Sequence, residues 1–200
     1  MRVHVAAATF VVLVLAGCTD SSAPRTTIGE PVDPFDGESV AYCESQGGEV
    51  QERQPMYGTN TDESDWIPFG QPIRTCKLST LGDETAIFID LHTMYSQNPT
   101  LAALAYSQAS LPEDLSPSGN PAAAICSELG GTSSFGPGAN GGGLVDLSDD
   151  DFPVFAPCMF ADGSFIEEWG IAYHLDGSVR GADLAPRFRF DTQTAPHVYG

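Results

Sequence analysis

Two hundred residues, 42% of them hydrophobic, suffice for one domain or two small ones with a buried core, which excludes a wholly disordered chain. Against 27 Asp and Glu stand only 8 Lys and Arg, and the net charge of −19 repels nucleic-acid phosphates and anionic lipid headgroups alike, so no nucleic acid is expected as a partner. With 21 Gly and 15 Pro, turns and loops take a large share of the chain.

The chain opens on one cation, Arg2, and an apolar run from Val5 to Ala16. As a helix that run reaches only ~18 Å, short of a ~30 Å hydrocarbon core. Residues 1–17 therefore read as a signal peptide rather than a lasting membrane span. The run ends in Leu15-Ala16-Gly17-Cys18, which resembles the lipobox of bacterial lipoproteins. The resemblance implies that Cys18 carries the lipid, that cleavage falls just before it, and that His4 is lost with the signal. Small side chains beside the bond let a peptidase reach the backbone. Two acyl chains, at about 0.8 kcal/mol per buried methylene, hold a protein stably where one does not. The expected location is extracytoplasmic, at the bacterial cell membrane, with the lipid on Cys18 as the membrane contact. Residues 18–36 hold Pro24, Pro31 and Pro34 among Ser, Thr, Gly and Asp without apolar periodicity, and read as a flexible tether.

Beyond the tether the chain repeats itself. Val40-Ala41-Tyr42-Cys43 leads to Gly47-Gly48, and Ala123-Ala124-Ile125-Cys126 leads to Gly130-Gly131. Each stretch reads as a helix stopped by glycine. Cys76 follows Cys43 by 33 positions and Cys158 follows Cys126 by 32. Counted on from Cys76 and Cys158 without gaps, Ile87, Ile89 and Leu91 fall on Trp169, Ile171 and Tyr173, each set alternating like a half-buried strand, and His92 falls on His174. Two tandem units follow, residues 37–112 and 113–200, joined through the Pro, Ser and Gly stretch Leu111–Asn120. Four cysteines in an exported chain imply disulfides, and units that fold alone imply the local pairs Cys43–Cys76 and Cys126–Cys158. Each loop is worth about 3–4 kcal/mol in the chain-entropy account. Zinc is the rival reading, but the chain has neither Cys-x-x-Cys nor His-x-x-x-His spacing, and no metal or cofactor is expected.

Unit two carries Asn120-Pro121-Ala122, then Cys126 with Gly130-Gly131, then Cys158-Met159-Phe160-Ala161-Asp162-Gly163-Ser164, then Glu167-Glu168-Trp169. These residues resemble a small bacterial family of exported lipoproteins labelled hemolysin, a domain of unknown function. The match covers about half of the unit. Members commonly hold a further cysteine pair, near Ile166 and after the Trp strand, and both are absent here. Unit one is a diverged copy, with Ile87 where the Trp would fall. The resemblance implies an α+β fold in which a helix is stapled by its disulfide to a short antiparallel sheet. The chain shows no pore-forming apolar segment, so lysis is not expected.

Four groups of residues are weighed as sites. Asp149, Asp150 and Asp151, with Asp146, could offer hard oxygens to Ca²⁺, but they lack the EF-hand ligand spacing and read first as a solvated acidic loop. His92 and His174 could serve as acid–base groups or ligands at a shared cleft, but no nucleophile motif accompanies either. Glu167 and Glu168, adjacent on a strand, would face opposite sides and form no carboxylate pair. Tyr57–Gln71 and Gly136–Gly143 lie between the two cysteines of their units and read as insertions. Leu101–Tyr106 reads as a core helix and Arg187–Phe190 as a closing strand. The expectation is a lipid-anchored extracytoplasmic binding or structural protein, not an enzyme, whose partner is an envelope or extracellular protein. The alternative is an inhibitor or protective factor against a secreted hydrolase.

Overall fold

Helix, Gly-Gly stop, strands and a second helix recur in each half of the chain, in the same order. The structure is a computed structural model and describes residues 34–80, 85–113, 119–133, 135 and 140–199. The signal segment, Cys18 and the tether up to residue 33 lie outside the described residues, as do 136–139 of the glycine loop and 114–118 of the joint. Copy one runs α1 (Pro34–Ser45), β1 (Glu49–Tyr57), β2 (Ile67–Pro68), β3 (Ile73–Ser79), β4 (Ala86–Asp90) and α2 (Leu91–Tyr95), with α3 (Leu101–Gln108) trailing. Copy two runs α4 (Pro121–Glu128), β5 (Thr132–Ser133), β6 (Gly142–Val145), β7 (Val154–Phe155), β8 (Pro157–Met159), β9 (Phe165–Glu167) and α5 (Glu168–Leu175). The first helix thus starts at Pro34, inside the stretch read as tether.

The Gly-Gly pairs divide two tasks. Gly47 and Gly130 both take φ +82°, the left-handed turn that ends a helix. Gly48 and Gly131 make room for sulfur. A Cβ on Gly48 would stand 2.4 Å from Cys76 Sγ and 2.7 Å from Cys43 Sγ, and one on Gly131 would stand 2.6 Å from Cys158 Sγ and 2.9 Å from Cys126 Sγ. The disulfides Cys43–Cys76 and Cys126–Cys158 close each helix onto a strand, with Cα separations of 5.8 and 5.6 Å. At the start of α4, the Asn120 side chain accepts the Ala122 N–H and Pro121 takes the first turn, where its missing N–H costs nothing.

The strands join in one antiparallel sheet of order β5-β8-β9-β4-β3-β1-β6-β7, with β2 on β1. One row of facing residues crosses six of them: Val50, Cys76, Ile89, Ile166, Cys158, Ser133. Its inner four residues, Cys, Ile, Ile and Cys, read the same from either end, so Ile89 and Ile166 are equivalent residues meeting at a pseudo-two-fold axis between β4 and β9. The two copies therefore share one sheet rather than sitting as beads. One face of that sheet and the five helices enclose a single core holding both disulfides with Leu78, Ile87, Met94, Tyr106, Ile125, Ile171 and Leu184. Complete burial of such apolar side chains stabilises by roughly 1.5–3 kcal/mol each. The segments after α2 and α5 cross over. Asp162 and Ser164, in the β8–β9 turn, accept the Leu101 and Ala102 N–H groups that open α3. Reciprocally, Gly181 N–H donates to Thr85 Oγ1 and Arg180 Nε to the Ala86 carbonyl at the β3–β4 hairpin.

The two insertions meet. Gln54–Tyr57 pairs with Gly142–Val145, Gly58 N–H donates to the Gly141 carbonyl, and Phe69 packs edge-on to Phe135. The ribbon they form covers the second face of the sheet through Phe88, Leu144, Phe155 and Phe165. The described parts of both insertions therefore take part in the fold.

Three readings are corrected. Trp169, Ile171 and Tyr173 lie on α5, not on a strand, and the buried face Glu168, Ile171, Ala172 has helical spacing. Gly170 lets that helix approach β4, since a Cβ there would meet Ile87 Cδ1 at 2.4 Å. Leu91 and His92 belong to α2. Arg187–Phe190 makes no strand; after a 3-10 turn at Ala185–Arg187, Phe188 and Phe190 stack at 5.2 Å inside the helix-side core. Each aromatic ring gains more by entering that core than an unpaired edge strand would offer.

Candidate functional site

In each copy the first helix, which carries one cysteine of the staple, packs on the helix that follows the last strand, α1 on α2 and α4 on α5, and each pair opens a pocket. The sheet register fixes which residues correspond. Cys76 faces Ile89 and Cys158 faces Ile166, so Asp90 matches Glu167, His92 matches Trp169 and Tyr95 matches Ala172. Counting back along the first helices from Cys43 and Cys126 matches Glu38 with Pro121. His92 thus stands where copy two has Trp169, replacing the match to His174. No residue of copy one matches His174, because α2 ends at Tyr95 while α5 continues to Leu175.

The copy-one pocket, about 330 Å³, is lined by Glu38, His92, Tyr95, Ser96, Gln97, Asn98 and Arg189. The Tyr95 hydroxyl donates to the Glu38 carboxylate, and that bond, with burial second, pushes the phenol above its ordinary range. The Arg189 guanidinium lies 4.1 Å over the Tyr95 ring and 5.8 Å from the Tyr42 ring, and these rings meet edge-on. Burial likewise raises the Tyr42 phenol, whose hydroxyl donates to the Arg187 carbonyl. The copy-two pocket, about 250 Å³, is lined by Leu111, Pro121, Ile125, Trp169, Ala172, Tyr173 and Asp176. Tyr173 is 41% exposed and Leu111 37%, so its rim is apolar and open to solvent.

The two histidines share no pocket. His92 is exposed on the copy-one rim. His174 stacks on Tyr106 at 3.8 Å with Nδ1 3.9 Å from Asp183, and burial lowers its pKa although Asp183 opposes the shift. The Tyr106 hydroxyl donates to Asp183 and accepts the Leu184 N–H, and burial carries its phenol well above the ordinary value.

The acidic run separates. Asp149 is buried, and its Oδ2 accepts from Lys77 Nζ at 2.7 Å, Arg53 Nη2 at 2.8 Å and Gln51 Nε2 at 3.1 Å. Its Oδ1 accepts the Phe152 N–H. Burial pushes this carboxyl up, yet the bonds from Lys77, Gln51 and Phe152 outweigh it and hold the pKa below the usual range. With its oxygens so engaged, Asp149 is a counter-ion for two cations rather than a calcium ligand. Asp150 and Asp151 are exposed, Asp151 on the rim of a 410 Å³ cavity with Lys77 and Phe152. Among the described residues no group of three or more His, Cys, Asp or Glu is placed to hold a metal. Arg53, fully buried, also stacks over Phe88 at 4.5 Å and donates to the Phe152 carbonyl. This cation was not singled out from sequence. Its signal was an arginine alternating with polar neighbours inside a strand, on a chain with few cations.

Glu167 and Glu168 straddle the β9–α5 junction, and both are buried. Glu168 accepts from the Asn120 side-chain amide and the Ser133 hydroxyl, while burial raises its pKa. Burial pushes Glu167 up to about 7; its Oε1 lies 3.5 Å from Arg180 Nε and its Oε2 has no hydrogen-bond partner. Among the described residues no helix is long and apolar enough to cross a membrane. Comparison of the chain with protein-family models, curated proteins and solved structures found no match.

Proposed function

We propose that this chain is a lipid-anchored, extracytoplasmic binding protein whose recognition surface is the pair of pockets between its paired helices, the apolar copy-two pocket facing an envelope or extracellular protein. One observation carries the binding reading. The two copies keep the same staple, glycine pair and Cys-facing-Ile pairing, yet the pocket between their paired helices is charged in one and apolar in the other. A scaffold held constant under a changing rim is the arrangement of a recognition surface. The lipobox-like Leu15–Cys18, the likeness to exported lipoproteins and two disulfides, which suit an oxidising compartment, support the address.

Radiolabelled palmitate fed to expressing cells should label the chain and not its Cys18→Ser variant, and the label should travel with the membrane fraction. Equal labelling of both, or an unlabelled chain in the cytosol, overturns the anchor. A photo-reactive aromatic residue in place of Tyr173 should give a discrete cross-linked adduct that the same residue at exposed Val179 does not give. Identical adducts from both positions overturn the assignment of the surface.

A further inference from the structure

The six described basic residues do not share one fate. Arg53 and Lys77 hold Asp149, Arg74 reaches Glu52 at 3.6 Å, and Arg180 reaches Glu167. Arg187 donates to the Gln46 and Asp183 carbonyls. Arg189 alone, among the described residues, has neither a carboxylate nor a backbone carbonyl as partner; it rests on two tyrosine faces and lines the copy-one pocket. On a chain with 27 acidic side chains this is not for want of anions. The acid in the pocket, Glu38, is engaged by the Tyr95 hydroxyl instead.

We propose that the copy-one pocket is a binding site for a small carboxylate, with Arg189 as its anchor. The guanidinium carbon sits 4.1 Å over the Tyr95 ring, and apart from a contact with the Tyr95 hydroxyl its fork of N–H donors, matched to a carboxylate, is left for a ligand. The ring contacts hold that fork in place beforehand, which lowers the ordering cost of binding. The His92, Gln97 and Asn98 side chains complete the wall with hydrogen-bonding groups, and the volume is that of a small-molecule site. Glu38 on the same wall repels additional negative charge, so a single carboxylate fits better than phosphate. A positive group beside that carboxylate, as in a free amino acid, would face Glu38. The proposal rests on the binding reading above and names the ligand class for one of its two pockets.

The test is a titration of the full chain with N-acetylalanine, alanine, alanine methyl ester and inorganic phosphate, followed by calorimetry and by the ring resonances of His92 and Tyr95. N-acetylalanine and alanine should saturate and shift both rings while leaving Trp169 and Tyr173 unmoved. Phosphate and the methyl ester, which lacks a carboxylate, should not saturate. Arg189→Gln should weaken carboxylate binding by about tenfold to a hundredfold, the loss expected of a charge-assisted pair. Wild-type spectra keep the test valid should that variant unfold. Saturation by the methyl ester equal to that by alanine, equal shifts at Trp169, or an unchanged midpoint in Arg189→Gln overturns the proposal. Those outcomes leave the Tyr173 cross-link standing, so failure of the ligand class and failure of the binding reading are distinguishable.

Discussion

In copy one the pocket between the paired helices is walled by Glu38, His92 and Tyr95; in copy two the same three places hold Pro121, Trp169 and Ala172. The staple itself is built alike in both copies. Both helices end on a left-handed glycine, both second glycines stand where a Cβ would collide with sulfur, and both strand cysteines face an isoleucine on the next strand. The difference teaches where such a fold tolerates change. A position whose Cβ would lie inside a sulfur atom has no freedom, while a rim residue half in solvent is constrained only by what it meets there. The copies differ again at their insertions, which lie in matching places but pair with each other across the molecule.

Removing the tie that has no counterpart should break the comparison most severely. Asp149 is the only acid within salt-bridge distance of both Arg53 and Lys77 among the described residues, and Arg53 is fully buried. Asp149→Ala would strand that cation in the space under Phe88 and Phe155, at a cost of about 3–5 kcal/mol. Urea unfolding should show the loss. Hydrogen exchange should place it in β1, β6 and β7, with the copy-two row at Cys158 and Ile166 still protected. Uniform loss of protection would mean that the insertions and the two-fold sheet form one cooperative unit.

How far the sequence revealed this arrangement depended on chain spacing. The helices at Cys43 and Cys126 and the pairing of the cysteines were legible because the distance from cysteine to Gly-Gly is the same in both copies, and each pairing is local. The α+β class followed from them. The second half of each copy was misaligned because the hairpin between Cys76 and Ile89 is five residues longer than the one between Cys158 and Ile166. A gapless count therefore slid Trp169 onto Ile87 and His174 onto His92. It also hid α5, whose Trp169, Ile171 and Tyr173 happen to alternate while Glu168, Ile171 and Ala172 form the buried face. The pocket of copy one was out of reach for another reason. Arg189 enters it from 97 positions beyond His92, placed by burial of Phe188 and Phe190, which a local pattern cannot report.

A second asymmetry sits at the cap position of the last helices. In copy one Asp90 caps α2, accepting the Thr93 N–H and hydroxyl, each at 2.9 Å. In copy two the matching Glu167 makes no cap bond, and one of its oxygens is buried without a partner. Burial raises both carboxyls, Glu167 to about 7 from an ordinary 4.5. A folded pKa above the unfolded one means that the fold keeps the proton longer. Stability on this account is full below about pH 4.5, declines as pH rises toward 7, and is level above it. The span corresponds to ~3 kcal/mol. Glu167→Gln should flatten most of that slope and leave the protein more stable than the parent at pH 8. An unchanged slope would assign the effect to Asp90 or Glu168.

The smallest expected effect is also the sharpest test of equivalence. Gly48→Ala and Gly131→Ala each put a methyl group within 3 Å of both sulfurs of one disulfide, at nearly the same distances. The backbone at neither position has positive φ, so strain of that kind does not enter, and the cost is overpacking alone, about 1–3 kcal/mol. If the pseudo-two-fold governs the energetics as it governs the register, the two variants should lower the unfolding midpoint equally and the double variant should lose the sum, since each acts on its own staple. Reduction offers the matching control. With both disulfides opened the sulfurs gain rotameric freedom, and the penalty of either alanine should shrink together. A loss confined to Gly48→Ala would show that β1, paired with β3 on one side and β6 on the other, cannot shift to admit the added methyl where the two-residue edge strand β5 can.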